Sequence, residues 1–227
     1  MNIFRMIGIP DVVTLINVFL GLSAIFAAHM GNFPLAFVLI LMAAVADGID
    51  GYLARLNSGS PIGEYLDSLA DIISFGVAPA CIIFFMYCDE LCVQAGLIAA
   101  IYLAGGILRL ARFSTNQKSI PDFEGLPITA SAVMISSYML LFPRYVYPYF
   151  LFGMMLLLAY LMISDHPYPK LRGTRALAFV TILFSATIIS YLLPEIFLNV
   201  FSTALFLSLM LYLESPIMKI PRQYYEE

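Results

Sequence analysis

Apolar stretches of membrane-spanning length take up most of this 227-residue chain. A helix needs about 20 apolar residues to cross the roughly 30 Å of hydrocarbon in a bilayer. Hydrophobic residues account for 62% of the sequence, and the 11% that are charged are about half the share typical of a soluble domain. We therefore predict an all-α fold, a polytopic membrane bundle of about eight transmembrane helices that forms one domain over residues 1–227. The eight stretches lie at residues 12–30, 34–55, 63–87, 92–112, 127–142, 147–164, 175–193 and 195–213.

Positive charge is distributed unevenly around these stretches. If all eight cross the bilayer, ten of the 11 Lys and Arg residues lie on one side and only Arg144 lies on the other. Cytoplasmic loops of membrane proteins carry such an excess of positive charge. The sequence therefore predicts a multi-pass integral membrane protein with both termini in the cytoplasm. No nucleic-acid partner is expected, and the three cysteines are expected to be free thiols, with a Cys88–Cys92 disulfide as the alternative.

Four aspartates interrupt the second and third stretches. An Asp at the centre of a membrane helix costs roughly 2.5–3.5 kcal/mol, so four would cost on the order of 10 kcal/mol without compensation. Asp47 and Asp50 are three residues apart and share one face of a helix, and Asp67 and Asp71, four apart, do the same. Two acidic faces joined by a short turn can converge on hard divalent cations, which prefer oxygen ligands. The pattern predicts a metal site, and the charge distribution puts it at the cytoplasmic face.

Small residues and one arginine accompany the acids. The small residues are Gly48, Gly51, Ala54 and Gly63. Glycine inside a helix costs about 1 kcal/mol relative to alanine, so this run indicates either a bulky ligand close to the backbone or tight packing of membrane helices. Arg55 can pair with an acid, reach lipid headgroups or bind a phosphate. Beside a metal site, phosphate is the natural partner of both groups.

The order of these residues resembles the signature of the CDP-alcohol phosphotransferase family. The matching positions are Asp47-x2-Asp50-Gly51-x2-Ala54-Arg55, followed by Gly63-x3-Asp67-x3-Asp71. The interval between Arg55 and Gly63 is shorter than is usual in the family, and the shortening lies in the turn at 57–61. The spacings within each helix are unaffected.

The resemblance implies a fold, a reaction and a set of roles. It implies a six-helix family core, here followed by two further C-terminal spans, and an enzyme that transfers the phosphatidyl-type group of a CDP-activated lipid to an alcohol and releases CMP. Asp47, Asp50 and Asp67 are then metal ligands, and Asp71 is a ligand or its neighbour and the general base. The metal is Mg²⁺ or Mn²⁺, with two ions bound. The small residues give room to the cytidine and its phosphates, and a homodimer is implied by the resemblance alone.

Segments outside this motif are similar to the branch of the family that transfers to serine. These segments are PDVVTLINVFLG at 10–21, DSLADIISFGVAPA at 67–80, GILRLARFS at 106–114, FEGLP at 123–127 and LMIS at 161–164. They are similar to CDP-diacylglycerol–serine phosphatidyltransferases and archaetidylserine synthases, so L-serine is the expected acceptor. The sequence does not distinguish diacyl from archaeal ether-linked lipid tails, because a groove that faces hydrocarbon has no residue pattern specific to either.

Two other functions are alternatives to serine transfer. An inositol phosphate or glycerol phosphate acceptor would bring an extra phosphate and should require more basic residues around the pocket. A cation or proton transporter also carries acids within the membrane, but it would be expected to spread them along a path, often on broken or repeated helices. Here the acids gather at one face, which disfavours transport.

Four further polar residues are candidates for substrate contacts. Thr14 and Asn17 lie three apart within the first stretch and are expected to contact the nucleotide or to form an interhelical hydrogen bond. Arg109 and Arg112 lie three apart at the end of the fourth stretch, on one helix face. They are expected to bind the serine carboxylate or a lipid phosphate, and anchoring at the membrane edge is the alternative.

Overall fold

The computed structural model describes residues 6–56, 60–115, 123–168 and 174–218 of the chain. The chain forms two compact units, Met1–Leu103 and Ala104–Glu227, and the boundary between them falls within the helix Ala78–Thr115. The first unit contains α1 (Ile9–His29), α2 (Phe33–Leu56), α3 (Gly63–Asp71), a π-helical turn (Ile72–Val77) and the larger part of α4 (Ala78–Thr115). The second unit contains β1 (Phe123–Glu124), α5 (Ile128–Met139), a 3₁₀ turn (Pro143–Tyr145), α6 (Pro148–Ile163), β2 (Pro167–Tyr168), α7 (Thr174–Ser190) and α8 (Glu195–Met218).

Helices form nearly all of the described structure, as predicted. The exception is the antiparallel pairing of β1 with β2, in which Phe123 lies opposite Tyr168. Each of these strands is two residues long, so the pair serves as a clasp between two loops. The three cysteines are free thiols, as expected.

Length and hydropathy identify membrane-spanning candidates among the described helices. Four helical stretches are long and apolar enough, namely Ile9–His29, Phe33–Leu56, Gly63–Arg112 and Glu195–Glu214. Shorter apolar helices cover Ile128–Met139, Pro148–Ile163 and Phe179–Ser190. The third long stretch has 50 residues, which at 1.5 Å per residue makes about 75 Å of helix, more than two bilayer crossings. This arrangement fits a membrane helical bundle.

The breaks between the first helices follow local chemistry. Gly31 adopts φ +79°, and the backbone N–H groups of Gly31 and Asn32 donate to the carbonyls of Ala28 and Ala27, which ends α1. The Asn32 side chain then accepts from the backbone N–H of Leu35 at 3.2 Å and starts α2.

Helix α4 is interrupted at Leu91, where φ is −129° and ψ is 38°. This interruption falls between the predicted stretches 63–87 and 92–112, directly after the charged pair Asp89-Glu90. Gly96, after the interruption, faces the ring of Phe84, before it, because a Cβ built on Gly96 would be 3.5 Å from that ring. The two arms of α4 therefore fold back on each other.

Helix α1 presents one polar and small-residue stripe to the interior of the first unit. The buried residues are Pro10, Asp11, Thr14, Asn17, Gly21, Ala24, Ala27 and Ala28, a helical repeat of three and four. The other side of the helix exposes large apolar residues such as Phe19 and Phe26. At Gly21 the helices approach so closely that a Cβ would lie 2.7 Å from the Cα of Ser74.

The π-helical turn follows α3 without a break. Its backbone offers a carbonyl that a regular α-helix would bond internally, and the hydroxyl of Tyr102 donates to the Phe75 carbonyl at 2.9 Å. Tyr102 is fully buried, as are Phe75 and Ser74. The Ser74 hydroxyl donates to the backbone carbonyl of Asn17 at 2.9 Å. These two bonds tie the turn to α1 and to the second arm of α4.

Close backbone approaches and buried hydroxyls hold the second unit together. A Cβ on Gly105 would lie 3.1 Å from the carbonyl oxygen of Ala159, so α4 and α6 pack nearly backbone to backbone. The Ser202 hydroxyl of α8 donates to the Leu140 carbonyl at 2.7 Å, after the end of α5. Such bonds satisfy carbonyls that water cannot reach.

Candidate active site

The acids predicted from the sequence lie where α2 approaches α3. One carboxylate oxygen from each of Asp47, Asp67 and Asp71 lies within 4.8 Å of the others. Asp71 is buried, and the other two are half-buried. Carboxylates so close together repel each other strongly unless a cation or a proton lies between them. The group supplies hard oxygen ligands from two helices, which is the donor set that Mg²⁺ and Mn²⁺ prefer.

Asp50 stands one helical turn from Asp47, outside the three-carboxylate group. It is 4% exposed, and its Oδ2 has no hydrogen-bond partner among the described residues. It interacts electrostatically with Asp67, so it belongs to the same charged region. A buried carboxylate oxygen without a partner is costly, and a cation at this site would remove that cost. The four acids therefore fit divalent metal, and their roles as ligands stay predictions.

Thr14 reaches this region from the buried stripe of α1, and Asn17 lies about one turn later in the same stripe. The Thr14 hydroxyl lies 3.2 Å from the Pro10 carbonyl and also within reach of the Asp50 carboxylate, and its one proton serves one of them at a time. Asn17 is fully buried, and neither its Oδ1 nor its Nδ2 has a partner among the described residues. A buried amide of this kind lacks both a donor and an acceptor, which a bound polar molecule can supply.

The small residues of the motif have different surroundings. A Cβ built on Gly48 or Gly51 meets no described atom within 4 Å, and both residues are exposed. Close packing against a described helix therefore does not explain these two glycines, and their role in making room for a ligand stays a prediction. Ala54 is half-buried on the same helix, and Arg55 is exposed at its C-terminal end.

Gly63, by contrast, has close neighbours. A Cβ there would lie 3.2 Å from Asp11 Oδ1 and 3.2 Å from Ser60 Oγ. Its expected role in making room for the nucleotide stays a prediction, and crowding of these two side chains gives a second reason for glycine at this position. The residues of the turn at 57–59 lie outside the described residues.

The second unit holds the two arginines that were expected to bind the acceptor or a lipid phosphate. Arg109 is 7% exposed, which is unusual for a residue whose role is anchoring at a membrane edge. Arg112 donates to the carbonyls of Ile163 and Ser164 at 3.1 and 2.9 Å and forms an ion pair of 3.0 Å with Asp165. It thus binds the C-terminal end of α6, where a cation complements the helix dipole.

The segment at Phe123–Pro127 lies against the same helix end. Gly125 has φ +76°, and its backbone N–H donates to the His166 carbonyl at 3.0 Å. A Cβ on Gly125 would lie 2.8 Å from an Arg112 guanidinium nitrogen and 3.0 Å from the Ser164 carbonyl. The segment therefore bends at Gly125 and lies against Arg112 and the end of α6.

Sequence reasoning missed three polar residues around the acids. Asp11 is 2% exposed and accepts a hydrogen bond from the Ser60 hydroxyl, and Glu64 interacts electrostatically with Asp67. The signal for Asp11 was available, because a carboxylate directly after Pro10 and three residues before Thr14 lies on the same face of α1 as Thr14. Ser60 and Glu64 carry no comparable signal.

Comparison with known proteins adds a second line of support. The family model described as CDP-alcohol phosphatidyltransferase matches residues 7–164. A CDP-diacylglycerol–serine O-phosphatidyltransferase of Helicobacter pylori strain J99 is 36% identical over 178 residues, which cover 73% of each chain. An archaetidylserine synthase of Methanothermobacter thermautotrophicus is 35% identical over 179 residues, 77% of this chain and 75% of its own. A CDP-diacylglycerol–serine O-phosphatidyltransferase of Methanocaldococcus jannaschii is 37% identical over 170 residues, 74% of this chain and 77% of its own.

The matched region includes the acids of α2 and α3 and helix α4, which carries both arginines. It ends at Ser164, where Arg112 binds the end of α6. The motif, its convergence in three dimensions and the similarity along most of the chain agree with one another. This chain belongs to the CDP-alcohol phosphatidyltransferase family.

Proposed function

We propose that this enzyme transfers the phosphatidyl-type group of a CDP-activated lipid, CDP-diacylglycerol or CDP-archaeol, to the hydroxyl of L-serine. The products are CMP and either phosphatidylserine or archaetidylserine. The observation that carries the proposal is the meeting of Asp47, Asp67 and Asp71 within 4.8 Å, inside a chain whose relatives are named as serine transferases. The lipid class stays open, because a diacylglycerol-type and an archaeol-type relative are 36% and 35% identical to this chain.

The acids have two tasks in this reaction. Asp47, Asp50, Asp67 and Asp71 would hold two divalent ions, since four negative charges match two double positive charges. Bound Mg²⁺ or Mn²⁺ supplies charge neutralisation of the pyrophosphate and of the departing phosphate. Asp71 accepts the proton of the serine hydroxyl as that oxygen attacks phosphorus. The bond between this phosphorus and the bridging oxygen breaks, and CMP leaves with the electron pair.

The donor lipid would lie along the open side of α2. Gly48, Gly51 and Ala54 leave space for the cytidine and its phosphates, and Arg55 at the helix end pairs with a phosphate. Gly63 is assigned to the same region. Thr14 and Asn17 contact the nucleotide from α1, where the unpartnered amide of Asn17 offers both a donor and an acceptor.

The acceptor contacts belong to the arginines of α4. Arg109, buried and always charged, is suited to the serine carboxylate. Arg112 is assigned to the same subsite, and its bonds to the end of α6 support a role in shaping it. Inositol phosphate and glycerol phosphate are the alternative acceptors of the same chemistry. Transport of cations or protons is disfavoured because the acids gather at one place.

The membrane arrangement that goes with this function has eight spans, a six-helix core and two C-terminal spans. Both termini and the acid site would face the cytoplasm, where serine and CMP are available. The uneven distribution of Lys and Arg supports this orientation. Several of those basic residues, among them Lys118, Lys170 and Arg172, lie outside the described residues. A homodimer completes the proposal and rests on the family resemblance.

The decisive experiment measures CMP release by the purified protein in detergent. CDP-lipid is supplied with Mg²⁺ or Mn²⁺, and turnover is compared with L-serine, glycerol 3-phosphate, inositol phosphate and no acceptor. We expect release that depends on both metal and serine. The same release without serine would refute the serine assignment. If no CMP is released with any acceptor and either metal, the result would count against the reaction class.

A further inference from the structure

We propose that Asp11 is a positioning residue, which holds the start of α3 against the start of α1 and so sets the places of Asp67 and Asp71. This inference rests on the proposed metal-dependent transfer. Asp11 is almost completely buried at the beginning of α1, and it lies outside the group of three carboxylates that come together. Its carboxylate connects segments that are far apart in the sequence.

Both oxygens of the Asp11 carboxylate are engaged. Oδ2 accepts from the backbone N–H of Gly8 at 2.7 Å, within the same helix start. Oδ1 accepts from the Ser60 hydroxyl at 2.9 Å, across 49 positions of sequence. Bonds to an ionised acceptor are about twice as strong as neutral ones. We call this set of contacts, formed by Gly8, Asp11 and Ser60, the Asp11 clamp.

The Asp11 clamp leads directly to the acids of α3. The backbone N–H of Gly63, the first residue of α3, donates to the Ser60 carbonyl at 3.2 Å. Gly63 also packs against the clamp, because a Cβ there would lie 3.2 Å from both Asp11 Oδ1 and Ser60 Oγ. Asp67 follows one helical turn later and Asp71 another turn later. A shift at Ser60 therefore moves both acids together.

The same stretch of α1 also touches the other acidic helix. Thr14, one turn after Asp11, lies within hydrogen-bonding reach of Asp50 on α2. The first two turns of α1 thus contact both helices that supply the predicted metal ligands. Groups that orient ligands from outside the coordination sphere change metal affinity by about 10- to 100-fold when they are removed. The clamp bonds the start of α3 rather than a ligand itself, so the lower end of this range applies to it.

A purely electrostatic role is the competing explanation, because Asp11 also adds negative charge near Asp50. Three variants separate the two explanations. Ser60→Ala breaks the clamp and keeps the charge. Asp11→Asn removes the charge but can keep both bonds, with its oxygen toward Gly8 and its amide donating to Ser60. Asp11→Ala removes both.

The test measures Mn²⁺ binding directly by electron paramagnetic resonance of the full-length protein in detergent. We expect Ser60→Ala and Asp11→Ala to weaken binding by about tenfold, the lower end of the range for orienting groups. Asp11→Asn should stay closer to wild type, and Ser60→Thr, which keeps a hydroxyl, should bind as wild type does. Ser202→Ala loses a more deeply buried serine hydrogen bond in the second unit and should leave binding unchanged.

The outcomes also distinguish this inference from the proposed function. If wild type binds no Mn²⁺, or if Asp67→Asn binds as well as wild type, the metal site itself fails. If wild type binds but Ser60→Ala binds equally well, only the clamp is refuted. Equal losses in Asp11→Asn and Asp11→Ala, with Ser60→Ala unaffected, would assign Asp11 to electrostatics and overturn its positioning role.

Discussion

Asp71 combines burial with a place at the end of α3, next to two other carboxylates. If it removes the serine proton, Asp71→Asn should abolish transfer, because an amide cannot accept that proton. Binding of CDP-lipid should be largely retained, since the other three acids remain. Single-turnover CMP release and equilibrium binding of the CDP-lipid separate these effects. Measurable transfer by this variant would remove Asp71 from the role of base.

Gly48 and Gly51 can each be replaced by alanine to test whether the donor lies against them. A methyl group on either meets no described atom within 4 Å, so Gly48→Ala and Gly51→Ala should fold normally and gain helix propensity. If the space holds the donor, each should raise the KM for CDP-lipid by about tenfold or more, as one methyl group does in a filled pocket. Gly153→Ala is the matched control, because Gly153 is helical and equally open. Unchanged KM values in both motif variants would exclude the donor from this face.

The sequence predicted the meeting of the acids only in part, because spacing within a helix gives a shared face but not the way in which two helices meet. The pairs Asp47/Asp50 and Asp67/Asp71 were expected to converge, and three of these four acids meet within 4.8 Å. The Asp11 bond to Ser60 was not foreseen, because it spans 49 positions and an acid in the first turn of a helix is commonly a partner of the helix dipole.

Arg112 shows a different limit of sequence reasoning. Two arginines three apart predict a shared helix face, but they do not say which partners lie opposite that face. The carbonyls at the end of α6 become acceptors only through the tertiary fold, and Arg112 binds three of them, those of Met162, Ile163 and Ser164. Every helix has free carbonyl groups at its C-terminal end, so the residue types of α6 do not indicate that Arg112 binds there.

At the scale of elements, the breaks between helices were more predictable than their internal geometry. Gly31 and Asn32 end one helix and begin the next, as their residue types indicate. The interruption at Leu91 falls beside the charged pair Asp89-Glu90. The π-helical turn at Ile72–Val77 had no sequence signal, because a π turn needs one extra residue accommodated by its neighbours rather than a particular composition.

Tyr102 tests the importance of that π-helical turn. Tyr102→Phe removes the bond to the Phe75 carbonyl and should lower stability by about 0.5–1.5 kcal/mol, the net value of a typical hydrogen bond. Because the turn follows Asp71 directly, kcat should fall as well. Tyr138→Phe removes a hydroxyl that bonds backbone groups of the second unit and should lower stability alone. Thermal unfolding and steady-state kinetics of both variants decide, and an unchanged kcat in Tyr102→Phe would contradict the link.

Close helix contacts make a second prediction at this scale. Gly21→Ala would drive a methyl group into Ser74, whose Cα would be 2.7 Å away. Backbone must move to accept it, and overpacking of this kind costs about 1–3 kcal/mol. Unfolding in detergent should show this loss, in contrast to Gly153→Ala, whose added methyl group meets no described atom within 4 Å. Equal stability of the two variants would mean that α1 and the π-helical turn separate easily.

At the scale of the whole molecule, the proposed orientation can be tested with the native thiols. Cys92 is exposed beside the Leu91 interruption, on the side opposite the acids in the proposed topology. With Cys81 and Cys88 replaced by serine, a membrane-impermeant maleimide should label Cys92 from outside intact cells. With Cys92 also replaced by serine, Leu56→Cys at the end of α2 should react only after the membrane is opened. The reverse pattern would invert the topology.

Composition alone was sufficient for the class of fold. A chain that is 62% hydrophobic leaves much apolar surface exposed after folding, as the helices show with exposed residues such as Phe19, Val93 and Leu211, and a bilayer can cover that surface. The number of crossings is harder to read, because α5 has 12 residues and most of them are buried. A helix enclosed by others need not match the bilayer thickness, so its length does not report its depth.

The open side of α2 at Gly48 and Gly51 has a kinetic consequence. A donor with two hydrocarbon tails can reach this face by sliding within its own leaflet, without passing through water. The rate at which the donor meets the enzyme then depends on the mole fraction of CDP-lipid among the surrounding lipids. The rate at which serine meets the enzyme depends on its concentration in water. Diluting the donor with inert phospholipid should slow turnover even when its amount per millilitre is held constant.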